Sequence, residues 1–241
     1  MTSQSERYAL VTGAGSGIGR ATALAFAQVG IHLALVGRTR SKLEAVATEV
    51  AQHGVKVACY SIDLLEVEQV REKIATIAAS FGPINILVNN AGMGYTASLG
   101  NTPLADWQRV LTLNLTSVFQ CIQGILPSMR ERQQGTIINV SSIAGQQVFP
   151  EWGAYCVSKF GLVALSKTLA AEERYNGIRV VTISPGSVNT PIWDTDTVHA
   201  DFDRSSMLTP ETVAQSILYA ALLPQEAVIE DMTLMSSVGA L

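Results

Sequence analysis

The sequence predicts an α/β fold, one doubly wound parallel sheet of about seven strands with helices on both faces. Three observations carry that prediction. Short apolar strands alternate with amphipathic helical stretches along the chain, a glycine-rich turn joins the first strand to the first helix, and later strands close on Asn89, Ser141-Ser142 and Pro185-Gly186. Alternation of this kind builds βαβ units, whose parallel strands are covered on both faces and so read as near-continuous apolar runs.

Taken in order, Tyr8 to Thr12 reads as the first strand because Ala9, Leu10 and Val11 form an unbroken apolar run. Glycines from Gly13 to Gly19 end it, and Ala21 to Val29 resumes with helical spacing. Ile31 to Val36 is the second strand, with Ser41 to His53 as its helix, and Lys56 to Ile62 is the third, followed by the helix Glu66 to Phe81. Ile84 to Asn89 gives the fourth strand, and Leu104 to Met129 reads as one long helix. Thr136 to Ser141, Arg179 to Ile183 and Ile229 to Met235 complete the sheet, separated by the helices Ala154 to Tyr175 and Pro210 to Leu223. Thr209 offers that last helix a cap, and Pro210 supplies the preset φ of a first turn.

Composition bounds the reading. A chain of 241 residues, 48% hydrophobic and 15% charged, can bury a sizeable core, and it has no repeat or linker, so a single domain over residues 1–241 is expected. The net charge of -4 and the absence of a Lys/Arg run argue against a nucleic-acid partner. Cys59, Cys121 and Cys156 are widely spaced, with no C-x-x-C pair, which suits a reducing cytoplasm. The polar start Met1 to Arg7 and the lack of a ~20-residue apolar run predict neither a signal peptide nor a membrane span. His32, His53 and His199 are scattered, so no metal site is expected.

The chemistry starts with the glycine turn, Gly13-Ala14-Gly15-Ser16-Gly17-Ile18-Gly19, which runs from a strand into a helix. Glycine lets backbone approach a ligand closely, and a helix N-terminus offers free N–H groups to a pyrophosphate, so a dinucleotide site is expected there. The spacing is G-x-x-x-G-x-G rather than G-x-G-x-x-G. At the end of the second strand an NAD-selective site usually places a carboxylate, whereas this chain has Gly37-Arg38-Thr39-Arg40. A guanidinium there favours the 2′-phosphate of NADP(H) over NAD(H). Tyr155 and Lys159 stand four residues apart in a helical stretch, on one face, where an ammonium favours loss of a phenolic proton.

Taken singly, Asn114 or Ser142 reads as a turn or capping residue. Joined in this order and spacing, T-G-x-x-x-G-x-G, Asn89-Asn90-Ala91-Gly92, Asn114, Ser142, Tyr155-x-x-x-Lys159 and Pro185-Gly186 make the chain resemble the short-chain dehydrogenase/reductase family over nearly its whole length. The resemblance implies a Rossmann-like NADP(H)-dependent oxidoreductase that moves a hydride between nicotinamide and a carbonyl or alcohol. It implies that Tyr155 is the acid or base, that Lys159 lowers its pKa and holds the nicotinamide ribose, and that Ser142 binds the substrate oxygen. Asn114 would hold a water joining Lys159 to solvent. Asp63 would meet the adenine, Asn89, Asn90, Ala91 and Gly92 would line the adenosine and ribose side, and Thr190 would touch the nicotinamide amide, with Pro185 and Gly186 bordering the same cleft. Residues 190–208 would form a substrate lid rich in Trp193, Asp194, Asp196, His199, Asp201, Phe202, Asp203 and Arg204. A homotetramer or homodimer is implied through the helices carrying Asn114 and Tyr155, with Ala164, Ala170 and Ala171 allowing close approach. A 3-oxoacyl-carrier-protein reductase or small 3-hydroxy acid dehydrogenase is the alternative, and the tail Val228 to Leu241 lacks the T-G-Q…D-G-G ending frequent in the former. A non-catalytic dinucleotide-binding regulator is disfavoured because Tyr155 and Lys159 are both present. An epimerase or dehydratase of the extended relatives would need a larger C-terminal domain and a different glycine spacing.

Overall fold

Fourteen principal elements order the chain, and the computed structural model describes residues 6–200 and 203–238 of it. They are β1 (Tyr8–Thr12), α1 (Gly17–Gln28), β2 (His32–Gly37), α2 (Arg40–Ala51), β3 (Val57–Ser61), α3 (Val67–Ser80), β4 (Ile86–Asn89), α4 (Leu104–Leu111), α5 (Ser117–Arg132), β5 (Gly135–Val140), α6 (Gly153–Glu173), β6 (Ile178–Pro185), α7 (Pro210–Leu222) and β7 (Asp231–Leu234). All pairings are parallel, and the sheet order is β3-β2-β1-β4-β5-β6-β7. The expected seven strands are all there. Their ends move by a residue or two where the apolar run outlasts the ladder, as at Ile84 before β4 and Ile229 before β7.

Two apolar layers sandwich this sheet. On one side Phe26 of α1, Leu43 and Val46 of α2, and Val213 and Ile217 of α7 pack over Ala9, Leu33 and Leu35. On the other, Ile74 of α3, Ile122 and Met129 of α5, and Leu162 of α6 pack over Leu10, Leu87 and Ile137. Each such side chain contributes on the order of 1.5–3 kcal/mol by leaving water. Alternate residues of one strand feed opposite layers, which is why the strands read as unbroken apolar runs rather than as alternating ones. Thr209 caps α7, its hydroxyl accepting from the Thr212 N–H at 3.2 Å, and Pro210 occupies the first turn.

The long helix expected over Leu104 to Met129 is interrupted. A five-residue π turn, Thr112–Thr116, separates α4 from α5, and Asn114 lies in it with no exposed surface. A π turn carries an extra residue and rotates the side chains that follow, a feature common at functional sites and invisible to apolar periodicity. The joined helix Leu104–Arg132 is, by length and composition alone, able to cross a membrane, against the expectation that no segment was. Its apolar residues Ile122, Ile125 and Met129 are instead buried in the layer shared with α3.

The chain reverses direction of winding between β1 and β4, and ligands of doubly wound sheets bind beyond the carboxyl ends of the strands at that switch point. Gly13 and Asn90 follow those two strand ends directly.

Candidate functional site

Thr12, the last residue of β1, closes the switch point. Its hydroxyl accepts from the Asn90 and Ala91 N–H groups at 3.0 and 3.1 Å, and the Asn90 side chain donates back to the Thr12 carbonyl at 3.0 Å. The two strand ends are thereby stitched together beneath the glycine turn. Gly13 and Gly17 have φ of +64° and +51°, and a Cβ at Gly17 would lie 3.1 Å from Thr190 Cγ2. At Gly19 the Gly13 carbonyl leaves no room for a side chain, which holds the turn tight against α1. Ser16 sits at the N-cap of α1 without using its hydroxyl as a cap, and no acid stands in the first turn. The turn therefore fits a dinucleotide pyrophosphate: backbone N–H groups face outward at a helix N-terminus, with no side chain filling the cradle and no carboxylate repelling it.

The adenosine end lies at the tips of β2 and β3. Arg38 is exposed, its carbonyl accepting from the Ser61 hydroxyl at 2.9 Å, and among the described residues it makes no ion pair. Arg40 is committed to Glu44 at 2.7 Å. Lys42, in the first turn of α2, packs its Cβ where a Cβ at Gly15 would lie 3.1 Å away, so the base of a second basic side chain borders the glycine turn. Sequence reading passed over it because the turn and α2 meet only in three dimensions. One oxygen of Asp63 accepts from the Leu65 N–H at 3.0 Å. Asn89 is turned inward, donating to Asn139 at 2.9 Å, so its side chain braces β4 against β5, while Asn90 and Ala91 are held against Thr12 at the end of β1.

The reactive end is built on α6. Tyr155 and Lys159 share one face, with Nζ 5.7 Å from the phenol ring centroid. Lys159 is 5% exposed and donates to the Val140 carbonyl at 3.0 Å. Ser142 opens the short helical turn Ile143–Gly145, and its oxygen accepts from the Ala144 N–H at 3.1 Å, which leaves the hydroxyl proton free to donate. Burial pushes the Tyr155 phenol up to about 12, with the Ser142 hydroxyl pulling the other way. Burial also pushes the Lys159 ammonium down to about 8. In the free protein desolvation is thus the largest influence on both groups, and the phenol stands above its ordinary value with an ammonium one turn away. Asn114 is fixed by three bonds: its carbonyl accepts from the Met93 N–H at 2.9 Å, and its amide donates to the Met93 carbonyl and to the Ser158 hydroxyl. Ser158, buried beside Lys159, donates in turn to the Tyr155 carbonyl at 2.7 Å.

Ile18, Ser142, Tyr155, Pro185, Gly186 and Thr190 line one cleft, so residues far apart in sequence meet there. Trp193 of the expected lid lines it too, as do Trp152 and Met235, which sequence reading had not placed in the site. The segment expected to form a lid begins with the helical turn Pro191–Asp194 and is pinned by Leu208, whose N–H donates to the Ser187 carbonyl at 2.9 Å. Its middle is tied to the loop after β4, the Thr197 hydroxyl donating to the Gly94 carbonyl at 2.8 Å. Asp201 and Phe202 lie outside the described residues, as do Met1 to Ser5 and Gly239 to Leu241. Among the described residues no three His, Cys, Asp or Glu side chains are grouped to hold a metal ion.

Comparison with known proteins adds to this geometry. The family model for short chain dehydrogenase matches residues 7–200. An uncharacterized oxidoreductase of Staphylococcus aureus is 32% identical over 97% of this chain and 98% of its own length. A glycine betaine reductase of Emericella nidulans is 33% identical over 94% of this chain, which spans only 18% of that longer protein. Among solved structures, an alcohol dehydrogenase from the archaeon Thermococcus sibiricus, complexed with 5-hydroxy-NADP, superimposes with a TM-score of 0.88 at 28% identity, covering 96% of this chain and 97% of that one.

Proposed function

The chain belongs to the short-chain dehydrogenase family, and from that membership we propose that it is an NADP(H)-dependent oxidoreductase interconverting a small-molecule carbonyl and its alcohol. The observation that carries the proposal is the meeting of Ser142 and Tyr155 with Ile18 and Thr190 in one cleft, directly beyond the glycine turn. When bound, the cofactor supplies a hydride to the substrate carbon. The Ser142 hydroxyl, with its oxygen already accepting from Ala144, orients the carbonyl oxygen by donating to it. Tyr155, protonated throughout the neutral range, delivers its proton to that oxygen as negative charge develops. Lys159 has three N–H donors and uses one on Val140, leaving two for the cofactor ribose and for a route to solvent. Asn114 spends both amide protons on Met93 and Ser158, so it would steady a water at Lys159 only through an oxygen. These bonds make it a positioning residue, holding the loop after β4 against α6.

Arg38, assisted by Lys42, would receive the 2′-phosphate, and Asp63 the adenine. The wild-type protein is expected to bind NADPH at least about tenfold more tightly than NADH, through charge-assisted contacts to the phosphate. Arg38→Asp is expected to reverse that preference, since it removes a partner and adds a repulsive charge. Fluorescence titrations in which wild-type NADH binding is the tighter would overturn the NADP(H) reading.

The same reading carries a place and an assembly. Three free cysteines, two of them buried, suit a cytoplasmic protein. Phe119 on α5 and Val157 and Phe160 on α6 are each at least 40% exposed, and Ala164 and Ala171 share the exposed side of α6, whereas Ala170 packs inward. We assign this face to a two-fold contact of α5 and α6 in a homodimer or homotetramer, with small residues admitting a close helix approach. Phe160→Glu is expected to split the assembly. Light scattering across a dilution series tests this, and a fully active wild-type monomer of 25.7 kDa would refute it.

A further inference from the structure

Resting on the carbonyl-reductase reading, we propose that the cleft selects uncharged carbonyl compounds with a flat apolar body, held against Trp152 and Trp193, and rejects those bearing a carboxylate or a fixed cation. Beyond the reactive hydroxyls the cleft walls are formed by Ile143, Phe149, Trp152, Ile192, Trp193 and Met235. Trp152 stands edge-on to the Tyr155 ring, centroids 5.4 Å apart, and edge-on to Trp193 at 5.8 Å. One indole therefore touches both the proton donor and the second indole. A flat body lying along this pair has its carbonyl carried to the Tyr155 hydroxyl. The Trp193 ring is set in place from below, its Nε1 donating to the Val188 carbonyl at 2.8 Å. Aromatic walls of this kind pair with a flat ring in offset-stacked or edge-on geometry, which adds to the area buried.

Charge supplies the second half of the argument. Among the described residues no acidic or basic side chain lines this cleft. Among the described residues of the segment 190–208 the charged groups are engaged elsewhere: Asp194 pairs with Arg204 at 2.9 Å, Asp203 accepts from the Ser205 N–H at 2.9 Å, and Asp196 and His199 face solvent. The Lys159 ammonium, beside the Tyr155 ring, is buried on the Val140 carbonyl. A substrate carboxylate would lose its water without gaining a cation, and a buried unpaired charge is among the costliest groups a site can hold. A quaternary ammonium would find ring faces but no acid. It would also sit beside a nicotinamide that becomes positive as its hydride leaves. In the balanced step, hydride from NADPH forms the new C–H bond as the carbonyl π bond breaks, and the Tyr155 proton ends on oxygen; the ketone is reduced and the nicotinamide oxidised.

The test is kcat/KM with NADPH for three acetophenones that differ only at the para position, carrying methyl, carboxylate or trimethylammonium, with acetoacetate as a compact charged control. The methyl compound is expected to exceed each charged one by at least about 30-fold. Trp193→Ala is expected to lower its kcat/KM about tenfold, mainly through KM, and Trp193→Phe, which keeps a ring, to restore most of the loss. A charged acetophenone or acetoacetate turned over as well as the methyl compound overturns this proposal and leaves the reductase reading standing. So does an unchanged KM in Trp193→Ala, or in Trp152→Ala should Trp193→Ala fail to fold. If NADPH binds, as its fluorescence reports, yet neither these four compounds nor cyclohexanone is reduced, the reductase reading itself falls, and this proposal with it.

Discussion

Tyr155→Phe is expected to lower carbonyl reduction about a thousandfold while leaving NADPH binding within about threefold of wild type. The substitution keeps the ring, and with it the edge contact to Trp152 and the packing beside Lys159. It deletes only the hydroxyl, which Ser142 reaches and which burial keeps protonated far above neutrality. The phenol is half-buried at the cleft wall, so loss of its hydroxyl should leave the melting temperature close to that of wild type. Rates measured under saturating NADPH, together with a fluorescence titration of the cofactor, separate the two effects. Turnover within about tenfold of wild type would show that another group supplies the proton, since general acids contribute on the order of a hundred- to ten-thousandfold.

The sheet was legible because its physics is local. Buried parallel strands must be apolar on both faces, and the Ala9 to Val11, Leu33 to Val36 and Ile137 to Ile138 runs announce that without reference to one another. The Tyr155/Lys159 pair was equally legible, since four residues on a helix fix a shared face whatever surrounds it. What escaped depends on neighbours distant in sequence. Trp152 and Trp193 are 41 positions apart, and nothing in either segment says that their rings meet. The π turn at Asn114 preserves the apolar content of the helix while changing its phase, so composition could not mark it. Desolvation was missed for the same reason: Tyr155 and Lys159 are perturbed by the walls around them, not by the spacing between them. The alanines of α6 divide between an exposed and an inward face, which a nearly all-apolar helix does not disclose.

Lys159→Met is expected to abolish useful turnover and yet raise the stability of the cofactor-free protein at pH 7. The folded protein holds an ammonium with 5% exposure whose pKa burial lowers from 10.5 to about 8. Below pH 8 the group is protonated in both the folded and unfolded states, and the cost of burying it is present in full, up to about 3 kcal/mol for a shift of this size. Between about 8 and 10.5 the folded state gives up its proton first, so the unfolded chain binds more protons and stability rises with pH. Above 10.5 the amine is neutral in both states and the cost vanishes. Against this stands the hydrogen bond to the Val140 carbonyl, whose loss costs about 1 kcal/mol. Methionine has a similar length without the charge, so a net gain of about 1–2 kcal/mol is expected at pH 7, shrinking to nothing or reversing above pH 10.5. Catalysis moves the other way, because the two remaining N–H donors of Lys159 have no substitute in a thioether. The wild-type kcat/KM for NADPH, which reports groups of the free enzyme, should therefore fall as pH rises through about 8. Thermal melts of both proteins from pH 7 to 10.5, without cofactor, decide the stability half. A variant that melts below wild type across that whole range would mean that the buried ammonium is a net structural contributor, not a charge held at a cost for its chemistry.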